Sequence, residues 1–144
     1  MKILVLGLTL LCLLGCSMKA IIPEGCENSL YYKYYGQFKV GTILIKAGLD
    51  EFVTQYPEYQ KDVLNGLTSL ESMMKLPTAT YMMLGLAVLS DVQWLNRIAG
   101  KKLLLAGEIV EVFLQDNTFI NPCDRKAFAL EIQRMKYYAG GEYE

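Results

Sequence analysis

Histidine is absent from all 144 residues. Its absence removes the commonest general base near neutral pH, the usual imidazole metal ligand, and every Ser/His or Cys/His nucleophile pair. Charge is scarce in runs as well: 14 Lys and Arg stand against 15 Asp and Glu, for a formal net charge of −1. No basic stretch is dense enough to drive counterion release from a phosphate backbone, so nucleic acid is excluded as an expected partner. Period-two alternation is missing over any convincing length, which argues against strands. No apolar run, that at the very start of the chain included, reaches the roughly 20 residues that a membrane helix needs.

What remains is apolar and helix-like. Just over half the residues are hydrophobic (53%) and a fifth are charged (20%), enough for one packed core and too apolar for a disordered tail. The length suits a single domain.

Met1-Lys2 gives a short positive start, and Ile3 to Leu14 is apolar except for Thr9, the layout of a secretion signal. Leu13-Leu14-Gly15-Cys16 follows: an aliphatic residue three before the cysteine, a small residue just before it, then the thiol. This resembles the lipobox of bacterial lipoproteins. The resemblance implies cleavage after residue 15, a covalent diacylglycerol on the Cys16 sulfur and an acyl chain on its new amine. It also implies a lipid-anchored protein of the cell envelope. Two or three acyl chains hold a protein on a bilayer where one is marginal. In a host with two membranes, Ser17 is similar to the residue found in lipoproteins sent to the outer membrane, facing the periplasm. Cys12 lacks the small residue before it and is the poorer candidate.

Of four cysteines, Cys26 and Cys123 are then left as an even pair in an oxidising compartment, and we expect a disulfide. With no histidine, two distant cysteines make a poor zinc site. Residues 16–25, with Pro23 and Gly25, read as the lipidated start and a short tether, and 26–144 as the folded domain.

Within that domain the spacing predicts about five helices in an all-α bundle closed by the one disulfide. Phe38, Gly41, Ile45, Leu49, Phe52 and Tyr56 recur at three- and four-residue steps, with Lys39, Lys46 and Asp50 on another side and Lys46 able to pair with Asp50. Pro57 opens a second helix that ends before Pro77, and Thr78 or Thr80 caps a third. Tyr81 to Leu89 is apolar all round and is expected to run through the middle of the domain. A largely buried helix is predicted over 101–115, with Glu108, Glu111 and Gln115 as its polar stripe. Asn121 caps the last helix, Pro122 fits its first turn, and Asp124 adds negative charge near its N-terminus.

Candidate functional residues are few. Tyr31, Tyr32, Tyr34 and Tyr35 stand out as a contact surface for a partner protein or lipid headgroups, against the plainer reading of a short helix with some rings in the core. Tyr137-Tyr138 joins that surface if the disulfide brings the chain ends together. Met73-Met74 and Met82-Met83 suit either core or an adaptable pocket, and Trp94 an interface anchor or core. No residue is nominated as catalytic or metal-binding, and no cofactor is expected beyond the lipid. The expected function is noncatalytic: binding or helping to assemble another envelope protein, with a carrier of a lipid or small apolar ligand between helices as the alternative. The architecture resembles, at the level of fold, small helical lipoproteins such as secretin pilotins.

Overall fold

A computed structural model describes residues 20–100 and 107–141, without the side chains of 107–109. The signal segment, Cys16, Ser17 and the start of the helix expected from residue 101 lie outside the described residues, as does the side chain of Glu108.

Pro23 to Cys26 forms a turn closed by the Cys26 N–H on the Pro23 carbonyl (3.1 Å), with Gly25 at φ +80°. A positive φ at the third position of such a turn favours glycine. Helix α1 (Leu30–Lys33) follows, capped by the Ser29 hydroxyl on the Tyr32 N–H. A single non-helical residue, Tyr34, separates it from α2 (Tyr35–Gln55). A 3-10 turn begun by Pro57 leads into α3 (Gln60–Met74). Then come α4 (Tyr81–Ala99), α5 (Gly107–Leu114) and α6 (Pro122–Tyr138). Among the described residues there is no strand; Thr80 and Phe119 form an isolated bridge.

The start of α4 shows how its free N–H groups are satisfied. Tyr81 N–H donates to the Thr118 carbonyl, Met82 N–H to the Asp116 carbonyl and Met83 N–H to the Thr80 hydroxyl. Four such groups have no partner within any helix, and here the α5–α6 link and the cap supply three. The other end closes at Gly100, whose φ of +62° is the left-handed conformation common just past a helix.

Neighbour relations among the five longer helices form a ring: α2 packs on α6, α6 on α3, α3 on α4, α4 on α5, and α5 back on α2. Because every helix is one wall of that ring, every helix keeps an outer face. This corrects the expectation for Tyr81 to Leu89, which does not run through the middle: Met83 (44% exposed) and Leu86 (54%) point outward, while Tyr81 and Leu84 point in. It also explains the stripe on α2, where Phe38, Gly41, Leu49 and Phe52 are buried and Ile45 and Tyr56 half-buried. Gly85 allows the tight α4–α5 contact, since a Cβ there would lie 3.0 Å from Phe113 Cβ.

At one end of the ring Tyr31, Phe38, Tyr81, Phe113 and Phe128, one from each helix except α3, pack with ring centroids 5.4–6.0 Å apart. Such pairs contribute about 0.5–1.5 kcal/mol each beyond the area they bury.

Candidate functional site

Beside this aromatic cluster the side chains shorten. Thr42 on α2, Val63 and Gly66 on α3, and Val88 and Val92 on α4 face one another across the ring and cannot meet in its middle. The result is a cavity of about 160 Å³ lined by all five long helices and by Tyr31 of α1. Its wall is apolar: Leu49, Leu67, Leu70, Leu84, Leu95, Phe113 and Ile132 are buried there, with Trp94 half-buried. The lining extends outward to Asp62, which is exposed, and to the part-buried Gly66, Asp91 and Val92, so the α3–α4 side forms the mouth.

Three carboxylates are drawn into the interior by donors from other helices. Asp124, fully buried in the first turn of α6, accepts from the Ser29 and Tyr81 hydroxyls and from the N–H groups of Leu30 (3.0 Å) and Tyr31 (3.1 Å). It therefore serves the N-terminus of α1, and not only that of its own helix. Burial, followed by the neighbouring carboxylate, pushes the Tyr81 phenol above the usual tyrosine range. Glu131 on α6 accepts from Lys39 (2.6 Å), Lys46 (3.1 Å), Arg134 (3.0 Å) and the Tyr31 hydroxyl (3.1 Å). Burial pushes its carboxyl upward, but the two ammonium groups outweigh burial and hold it below the usual carboxylate range. Glu71 on α3 takes Lys136 and Gln133, both at 3.0 Å, and its carboxyl is lowered by those hydrogen bonds. Lys46 thus pairs across to α6 and not with Asp50, as the helix spacing alone had suggested.

Asp91 is different. It lies on the cavity mouth, and burial alone raises its carboxyl above the usual range. Among the described residues it has neither an ion-pair nor a hydrogen-bond partner.

Cys26 and Cys123 are joined, with Cα atoms 5.8 Å apart, and the bridge sits directly beside Asp124. Covalent link and carboxylate together fasten the segment before α2 to the start of α6. The tyrosine run divides. Tyr31 is only 5% exposed and packs on Phe38 and Phe128, so it is withdrawn from the contact surface expected of it: its ring fills the aromatic cluster and its hydroxyl serves Glu131. Tyr32, Tyr34 and Tyr35 are half-buried around it, with Lys33 over the Tyr34 ring and Lys39 over Tyr35. Tyr137 and Tyr138 are exposed but do not join that group. The disulfide joins Cys26 to the first turn of α6, while these rings lie at its last turn, roughly 20 Å further along at 1.5 Å per residue. Met74 is core, Met73 and Met82 are half-buried and Met83 is exposed; the methionine that lines the cavity is Met135.

Comparison with protein-family models, with curated proteins and with solved structures finds no match.

Sequence reasoning gave Asp124 only the part of a negative charge at the start of its own helix, and missed its wider role together with Glu131 and Asp91. A signal for the first two was present, because Asp124, Phe128, Glu131 and Ile132 fall on one face of α6 and all four are buried. A carboxylate on an apolar stripe calls for donors elsewhere. Lys39 and Lys46, seven apart and so on one face of α2, were the donors to look for. Asp91 reads in sequence as the polar end of an apolar run, and only the ring geometry turns it toward the cavity.

Proposed function

We propose that this chain is a lipid-anchored protein of the bacterial envelope whose helical domain binds a small apolar ligand between its helices. The cavity carries the reading. It is a space of about 160 Å³ lined mainly by apolar side chains, a surface that an apolar ligand covers more favourably than water does. An engineered apolar cavity of about 150 Å³ in another protein takes up benzene, so the space suits a ring or a short branched chain. No residue is assigned a catalytic role.

The anchor rests on Leu13-Leu14-Gly15-Cys16. No helix among the described residues is long and apolar enough to cross a membrane. Residues 17–25 reach about 30 Å when extended, which keeps the cavity near the bilayer, where apolar molecules concentrate. The outer membrane, facing the periplasm, is the destination that Ser17 favours in a host with two membranes.

The full chain, purified from its own membranes and extracted with organic solvent, is expected to release one small molecule in near-equimolar amount by mass spectrometry. An empty protein that also fails to bind simple aromatic probes would sink the proposal. A second reading, docking to another envelope protein, is favoured by Met83 and Leu86, exposed one turn apart on α4. Crosslinking in native membranes tests it, with capture of one abundant partner through α4 as the expected result.

A further inference from the structure

Among the described residues, the carboxylates that burial reaches are matched by donors, with one exception. Asp124 has four, Glu131 has four and Glu71 has two, and part-buried Asp116 accepts from both the N–H and the hydroxyl of Thr118. Asp91, on the cavity mouth, has none among the described residues, and its oxygens keep their contact with solvent. Its place in the middle of α4 rules out a benefit from the helix dipole, which acts within the first and last turns. Gly66 of α3 stands beside it, with a Cβ placed there lying 3.5 Å from Asp91 Oδ2, an ordinary contact, so the carboxylate rests along α3 at the rim. Asp62, one turn before Gly66, brings a second carboxylate to the same rim.

We propose that the cavity selects a cationic amphiphile, a compact apolar group seated against Leu67, Leu84 and Phe113 with its protonated amine held by Asp91 at the rim. The proposal rests on the ligand-binding reading above and names the chemistry of the ligand. A neutral ligand seated there would strip solvent from Asp91 and offer no partner in exchange, which is unfavourable for a charge. A cation placed there satisfies it. Discrimination of this kind, where the wrong ligand strands a polar group of the site, is stronger than discrimination by shape alone.

Trp94 is the one tryptophan of the chain and lines the cavity, so its fluorescence reports occupancy. The full chain is titrated with 2-phenylethylamine and with its uncharged isostere 2-phenylethanol. The amine is expected to bind at least about tenfold more tightly, the scale of one charge-assisted hydrogen bond. In Asp91→Asn that preference disappears, while the melting temperature without ligand stays equal or rises, because an unpartnered charge has been removed. Equal binding of both probes, unchanged by Asp91→Asn, overturns the selection of a cation and leaves the apolar site standing. Failure of both probes to bind protein freed of any co-purified ligand overturns both readings. A marked fall in the melting temperature of Asp91→Asn shows a structural partner for this carboxylate and likewise overturns the proposal.

Discussion

Glu131 holds two lysines, an arginine and a tyrosine at a point where α2 and α6 meet, and it does so at 4% side-chain exposure. Removing two lysines' counter-charge leaves Lys39 and Lys46, themselves 22% and 15% exposed, without their partner. Glu131→Gln is therefore expected to lower unfolding stability at neutral pH by about 2 kcal/mol or more, measured by urea denaturation. The same carboxyl fixes a pH dependence. Glu131 and Glu71 are both held below the usual glutamate value in the folded chain. Their contribution is fully present above that value and is lost as pH falls through the depressed folded-state values. Urea midpoints should fall on acidification below about pH 4.5, and Glu131→Gln should flatten that acid limb. A limb of unchanged steepness would show that other groups set it.

At the scale of the helix, two glycines one helix apart predict opposite outcomes. Gly66 in α3 faces Asp91 at ordinary contact distance, 3.5 Å from a Cβ placed there. Gly66→Ala should stabilise by about 0.5–1 kcal/mol through helix propensity. Gly85 in α4 would set its Cβ 3.0 Å from Phe113 Cβ and 3.2 Å from Leu114 Cδ2. A Cβ has little freedom to move away, so Gly85→Ala should destabilise by about 1–3 kcal/mol, the usual effect of overpacking. Chemical denaturation of the two variants side by side checks both signs. Neither sign is written in the sequence. The helices themselves were legible: Pro57, Pro77, Thr80, Asn121 and Pro122 act locally, and a local rule finds them. The stripe on α2 was legible for the same reason, because burial follows a 3.6-residue period wherever there is one core to face. What a helix meets across the ring depends on the order α2, α6, α3, α4, α5, which no local rule contains. Hence Lys46 was matched with its own neighbour Asp50, and the outward face of Met83 and Leu86 went unseen.

For the whole molecule, the disulfide joins residues 97 apart and encloses all of α1 to α5. By the loop-entropy argument it removes on the order of 4–5 kcal/mol of unfolded-chain freedom. Reduction, or Cys26→Ala with Cys123→Ala, should lower the melting temperature by well over 10 °C for a domain of this size. Near-UV circular dichroism of the aromatic cluster reports the same loss. Setting aside Cys12 and Cys16 left a single pair of cysteines, from which the bond was expected. The cavity was not foreseeable in that way, since it depends on short side chains from three helices meeting at one level. An identical melt with and without reductant would mean that the carboxylate Asp124, not the bond beside it, fastens the chain ends.

The position of that bond also decides how the molecule bears load. A pull between the two ends of the chain enters the domain at Cys26 and crosses through sulfur to Cys123. From there it leaves along α6. Residues 27–122, which carry most of the cavity wall, lie on a closed branch outside that path. Tension between the chain ends is thus taken by a covalent strut and one helix, and the cavity hangs beside the line of force.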